Sequence, residues 1–115
     1  MAHNFLNMII WKKSMDFTVL IYKYNQDLRS SERFNLIDQM NGYSCRIPLN
    51  ITEGSRKRTK KHFAKSLLLS SAFELQTQLL ICQRRNYGKN EDLKASHASI
   101  IKVQKMISSF KENFE

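Results

Sequence analysis

Ile47-Pro48-Leu49-Asn50-Ile51-Thr52-Glu53-Gly54 contains the chain's single proline. A proline inside a helix removes one backbone hydrogen bond and crowds the carbonyl four residues back, at a cost of about 3 kcal/mol. The surrounding pattern is nevertheless helical. Leu36, Met40, Tyr43, Ile47 and Ile51 step by four, three, four and four, in phase across Pro48. That phase predicts one helix, kinked at Pro48, from about Glu32 to Glu53. Ile47 is also a poor cap for a helix starting afresh at Pro48. Gly54 is expected in the left-handed position that ends many helices. The Asn50 amide is expected to engage a carbonyl freed by the proline, or one on a neighbouring helix, with a ligand contact as the alternative. Ile47, Pro48, Asn50, Glu53 and Gly54 are thus read as a structural motif.

Helical spacing recurs on both sides of this segment. Upstream, Ile10, Phe17, Ile21, Tyr24 and Leu28 form one stripe of a helix from Asn7 to Leu28, and Trp11, Met15 and Tyr22 form a second stripe beside it. So wide an apolar face suits a helix with two neighbours. Arg29-Ser30-Ser31 reads as a loop, with Ser31 as the cap of the proline helix and Glu32 in its first turn. Downstream, Thr59 caps a helix reaching about Asn86. Its stripe is Ala64, Leu68, Ala72, Leu75, Leu79 and Cys82, widened by Leu69, Phe73 and Leu80. Tyr87-Gly88-Lys89 reads as a turn. Asn90 then caps a last helix carrying Leu93, Ile100, Val103, Ile107, Phe110 and Phe114, with Glu91 and Asp92 at its positive end. Four amphipathic helices with short loops predict an all-α, antiparallel up-down-up-down four-helix bundle occupying residues 1–115 as one domain.

Composition agrees. The 115 residues are 42% hydrophobic, enough for a core, and three glycines and one proline leave little material for β turns. Cys45 and Cys82 sit within apolar helical patterns and are read as reduced core residues. No signal-peptide pattern and no long apolar run is present, so the chain is expected to be soluble and cytoplasmic, with no membrane partner.

The charge is concentrated. The net charge is +9, and residues 29–65 hold nine basic and three acidic side chains, a net +6. Arg56-Lys57-Arg58-Thr59-Lys60-Lys61 places five cations in six positions, and Lys65 follows one turn later. Such a cluster neutralises several phosphates and gives salt-dependent binding. It has no glycine-rich phosphate loop and no interleaved aromatic residue, so contacts to RNA backbone and shape are expected rather than base stacking. The alternative is a solvated face that only maintains solubility. Arg84 and Arg85 are a second, smaller basic pair.

Catalytic chemistry is not signalled. His3, His62 and His97 lack a glutamate three residues before them, as a di-metal bundle would require, and no Cys/His pair has zinc spacing. Glu53 and Glu74 lie near apolar stretches without a histidine nearby. They are expected to satisfy backbone amides or to pair with basic residues. No cofactor, metal or enzyme activity is expected.

In combination these pieces resemble a family of four-helix-bundle proteins first associated with intervening sequences in bacterial large-subunit ribosomal RNA genes. Trp11-Lys12-Lys13-Ser14-Met15-Asp16 is similar to the family's opening Trp-x-Lys-Ala/Ser-Met-Asp/Glu. Glu32-Arg33-Phe34-Asn35-Leu36 with Gln39 resembles its Glu-x-Phe-Gly-Leu-x-x-Gln. Ile47 to Gly54 resembles its Ile-Pro-x-Asn-Ile-Ala-Glu-Gly. Lys61, Phe63, Leu67 and Glu74-Leu75-Gln76-Thr77-Gln78-Leu79-Leu80 resemble its third helix. Two positions depart: Asn41 and Gly42 stand where members often carry paired basic residues, and Arg46 where serine is usual. The resemblance covers nearly the whole chain. It implies a ring-like homo-oligomer, often a pentamer, and does not imply an established enzyme activity.

The expectation is therefore a non-enzymatic oligomeric scaffold that binds structured RNA or a ribonucleoprotein. Its candidate RNA contacts are Arg46, Arg56, Lys57, Arg58, Lys60, Lys61 and Lys65. Trp11 and Tyr22, on the wide face of the first helix, are the candidate oligomer contacts. The alternative function is a protein–protein adaptor, for example an accessory protein of a reverse transcriptase, with no direct RNA role.

Overall fold

The computed structural model describes residues 5–26, 28, 34–56 and 61–109; the side chains at 34, 56 and 61–64 fall outside that description. A 3-10 turn, Phe5–Asn7, precedes four helices: α1 (Ile9–Asn25), α2 (Phe34–Arg56), α3 (Lys61–Arg84) and α4 (Asn90–Ser109). Each helix packs on its sequence neighbour and α1 closes against α4. The fold is the all-α, up-down four-helix bundle that the periodicity predicts. α1 and α3 stand at opposite corners, as do α2 and α4. Among the described residues no helix is long and apolar enough to cross a membrane.

The core is built from the expected stripes. Phe17, Ile21 and Tyr24 of α1 meet Met40, Ile47 and Ile51 of α2, Leu68, Leu75 and Leu79 of α3, and Ile100, Val103 and Ile107 of α4, all buried. Each such side chain contributes roughly 1.5–3 kcal/mol by leaving water. Cys82 is buried, Cys45 is half-buried, and neither is in a disulfide. Two α3 positions depart from expectation. Phe73 and Leu80 do not widen the buried stripe but stand exposed on the outer side of the helix. Their angular offset from Leu75 and Leu79 points them away from the bundle axis.

α2 runs without interruption through Pro48, which is itself buried. The carbonyl that Pro48 leaves without its amide partner belongs to Ser44, four residues back. The Thr18 hydroxyl of α1 lies 2.9 Å from that oxygen and donates to it. The same hydroxyl is 2.9 Å from the Ser14 carbonyl, so its hydrogen is shared. The freed carbonyl is thus met by Thr18 and not, as expected, by Asn50. Thr52 donates back to the Pro48 carbonyl at 3.0 Å and Ser55 to Thr52 at 2.7 Å, which reinforces the turns after the proline.

Gly54 does not end α2. It is buried within the helix, which continues to Arg56, and Gly88 is the only described glycine with positive φ. Glycine accepts right-handed as readily as left-handed backbone, so its presence alone does not set a boundary. α1 is shorter than expected, with Asn7 in the 3-10 turn and buried Leu28 beyond the helix end. The Ser31 and Thr59 caps and the Arg29-Ser30-Ser31 loop lie outside the described residues, as do Phe110 and Phe114.

The turn from α3 to α4 is fully accounted for by its backbone. Asn86 takes the left-handed conformation at φ 57°, Tyr87 N–H donates to the Cys82 carbonyl at 3.0 Å, and Asn86 N–H to Gln83 at 3.2 Å. This pair of bonds is a Schellman motif. Gly88 follows at φ +69°. A Cβ there would lie 2.6 Å from Tyr24 Cε1, so glycine is required both by backbone and by space. The Tyr24 hydroxyl donates to the Tyr87 carbonyl at 2.6 Å, which ties the turn to α1. The Leu93 N–H bonds the Lys89 carbonyl, so Asn90 opens α4 from inside the helix rather than capping it.

Candidate functional site

The basic run connects two helices. Arg56 is the last residue of α2 and Lys61 the first of α3. Lys57, Arg58 and Lys60, and the side chains of Arg56 and Lys61, lie outside the described residues. Lys65 makes a contact within the bundle. Its ammonium donates to the Ser108 carbonyl at 2.7 Å. There it faces the negative end of α4, where a cation is favourable. Arg46 lies ten residues before Arg56, about 15 Å along α2 at the helical rise. The seven candidate cations therefore divide into a connecting run, a helix-end contact and a separate side-chain pair. A further cationic patch stands at the opposite end of the bundle: Arg84, Arg85 and Lys89 are exposed there, and the Arg85 guanidinium lies 5.5 Å from the Tyr87 ring centroid.

Arg46 belongs to an aromatic pair. Its guanidinium lies over the Tyr43 ring, 4.9 Å from the centroid, on the outer side of α2. The neighbouring Glu74 carboxylate of α3 raises the Tyr43 hydroxyl above the ordinary tyrosine range, by hydrogen bonding and by charge, while Arg46 opposes it. Glu74 is thus exposed beside Tyr43 rather than serving backbone amides. Tyr43 and Glu74 line an open groove of about 500 Å³ between α2 and α3, together with Gln39, Phe73, Thr77 and Gln78. Phe73 forms its apolar wall at 52% exposure. Gln78 is nearly buried and donates to Gln39 Oε1 at 3.3 Å, yet its own Oε1 is buried without a donor.

A second outward surface lies on α1. Lys12, Met15, Val19 and Tyr22 are spaced three, four and three residues apart, one face of a helix, and all are exposed. Val19 is 64% exposed, and Leu49 of neighbouring α2 is 60% exposed. Trp11 and Tyr22 differ in placement. Trp11 is half-buried, packs on the core and meets Phe5 edge to face at 5.3 Å. Tyr22 stays on the surface with its hydroxyl 3.2 Å from Cys45 Sγ. That contact, then Coulombic repulsion from Cys45, raises the Tyr22 hydroxyl above its ordinary value.

The structural motif separates likewise. Ile47 and Pro48 are buried, Asn50 half-buried and Glu53 exposed. Gln76, Gln104 and His97 form a polar seam on the α3–α4 side. Gln104 donates to Gln76 at 2.8 Å, and Gln76 Nε2 is 3.4 Å from His97 Nε2. Among the described residues no group of three or more His, Cys, Asp or Glu is placed to hold a metal ion. The α2–α3 groove and the Thr18 contact escaped sequence reasoning. The signal for the groove was an α3 apolar stripe wider than one bundle core requires.

No curated protein matches the chain. The family model of the 23S rRNA-intervening sequence protein matches residues 6–109, from the 3-10 turn to the end of α4. By that match, which spans all four helices, the chain belongs to the 23S rRNA-intervening sequence protein family.

Proposed function

We propose that this protein is a non-enzymatic, homo-oligomeric scaffold that binds structured RNA or a ribonucleoprotein through a basic surface. The observation carrying this reading is the cluster of five cations in six residues at the α2–α3 connection. Cations at one end of every copy would be multiplied by assembly, and a ring of such copies, five in the form the family suggests, binds a polyanion with avidity. Sequence-independent phosphate contacts suit an end that carries charge and no stacking aromatic within the run. A filter-binding titration with structured RNA at two salt concentrations tests the proposal. Binding that weakens steeply as salt rises supports it; no binding at low salt, or binding indifferent to salt, overturns it.

The second reading is a protein–protein adaptor. It is favoured by the outward apolar faces on α1 and α3, whose chemistry suits a protein surface better than phosphate. Pull-down with and without nuclease separates the two. Partners retained after nuclease favour the adaptor, and partners lost with the RNA favour the RNA scaffold.

A further inference from the structure

We propose that the cleft between α3 and α4 is a binding site for a small organic carboxylate. This inference is independent of the RNA scaffold reading. The cleft has a volume of about 320 Å³. It runs from the C-terminal part of α3, at Leu79 and Gln83, to Asn90, the first residue of α4. That places it toward the end of the bundle opposite the α2–α3 connection. Buried Leu79 and Leu93 and half-buried Ile101 form its apolar walls. Clefts of this size, mostly apolar with a few placed polar groups, are the kind that take small molecules.

The polar groups of the cleft select the charge of its occupant. Lys94 and His97 both line it, three residues apart on one face of α4. No carboxylate stands among the described residues that line it. The first turn of α4 carries Glu91 and Asp92, but neither is part of the lining, and the Asp92 carboxylate lies 3.6 Å from the Lys23 ammonium of α1. The cleft also meets the positive end of α4 at Asn90, which favours an anion. His97 is set as a donor by a chain of hydrogen bonds. The Ala72 carbonyl can only accept, so the Gln104 group facing it at 3.4 Å is the amide nitrogen. That nitrogen also donates to Gln76 Oε1 at 2.8 Å. Gln76 therefore turns its own nitrogen to His97 Nε2, 3.4 Å away, and Nε2 must accept. In the neutral ring the hydrogen then sits on Nδ1, which leaves Nδ1–H to donate to an occupant of the cleft. The ring N–H and the Lys94 ammonium offer one donor to each oxygen of a carboxylate, and the apolar walls take the hydrocarbon body attached to it.

The test is a nuclear magnetic resonance titration of the full chain with benzoate, with benzyl alcohol and benzylammonium as its neutral and cationic analogues at the same ionic strength. Benzoate should saturate with a dissociation constant on the order of 1 mM, as suits so small a ligand. The shifted resonances should be those of Leu79, Leu93, Lys94, His97 and Ile101. Benzoate should bind at least about tenfold more tightly than either analogue. Lys94→Met keeps the aliphatic stem and removes the ammonium; it should weaken benzoate by roughly tenfold and leave benzyl alcohol unchanged. Ala98→Leu, at another lining position, fills the cleft and should weaken both. Lys94 and Ala98 are exposed, so both variants should keep the wild-type helical circular dichroism. The nitrogen shifts of the neutral His97 ring should report the hydrogen on Nδ1. Benzoate that does not saturate, shifts that map elsewhere on the bundle, or equal affinity for benzoate and benzyl alcohol overturns the proposal. So does undiminished benzoate binding by Lys94→Met. A neutral His97 ring with its hydrogen on Nε2 overturns the donor role given to that residue. None of these readouts involves RNA, so their failure leaves the scaffold reading standing.

Discussion

Thr18→Val isolates the contact that accommodates Pro48. Valine keeps the branched shape and nearly the same helix propensity as threonine, so the change removes little beyond the hydroxyl. The Ser44 carbonyl then lacks both the amide that proline cannot provide and the 2.9 Å bond from Thr18. Ser44 is buried, so water does not readily replace that donor. Stranding a buried acceptor costs about 1–3 kcal/mol, against about 1 kcal/mol for an ordinary exchanged hydrogen bond. Denaturant unfolding at fixed protein concentration measures the loss, since association would otherwise shift apparent stability. The decisive comparison is a double-mutant cycle with Pro48→Ala. That substitution returns an N–H to the helix, placed to bond the Ser44 carbonyl. Thr18→Val should then cost less than about 0.5 kcal/mol, because the carbonyl already has a donor. An equal cost of Thr18→Val in both backgrounds would refute the assignment, showing that the hydroxyl serves Ser14 or packing alone.

Three further outcomes follow from the same structure. Gly88→Ala places a Cβ 2.6 Å from Tyr24 Cε1 at φ +69°, so a loss of about 2–4 kcal/mol is expected in chemical unfolding; a loss under about 0.5 kcal/mol would contradict the fit. Lys65→Met keeps the aliphatic stem but removes the donor to Ser108, and should lower stability by only about 0.3–1 kcal/mol while leaving RNA affinity nearly unchanged; a large loss of affinity would return Lys65 to the binding surface. The Tyr22 and Tyr43 hydroxyls have raised pKa values in the folded protein, so their protonated forms favour folding. That contribution is complete below the ordinary tyrosine value and is lost as pH rises through the raised values. Nuclear magnetic resonance titration should therefore find both ionising later than free tyrosine, and Cys45→Ala should move Tyr22 back toward it.

How far the sequence was readable depended on whether a feature was local. The buried stripes could be read because one helix records its own inward face: Phe17, Ile21 and Tyr24 repeat at helical spacing whatever they contact. The Thr18 contact spans 26 residues and two helices, so only the register of the assembled bundle brings it together. Phe73 and Leu80 show a different limit. An apolar position at the edge of a stripe looks the same whether its partner is the same bundle or another molecule. Gly54 failed for a third reason, because its backbone freedom permits a helix end without requiring one. Among the candidate RNA contacts, spacing along the chain found the cluster but not the prior engagement of Lys65 by α4. Arg46 entered as a lone cation, and the structure adds Tyr43 and Glu74 around it.

The most direct test of the scaffold reading is the salt dependence of RNA binding in a variant with Arg56, Lys57, Arg58, Lys60 and Lys61 all changed to glutamine. Affinity for one structured RNA would be measured between roughly 50 and 200 mM salt for this variant and the wild type. Each lost phosphate contact should lower the slope of log affinity against log salt by about 0.7–0.9. The expected result is a steep wild-type slope and a shallow, weakened one in the variant. Equal affinity and equal slope in the two proteins would contradict the placing of RNA at the α2–α3 connection.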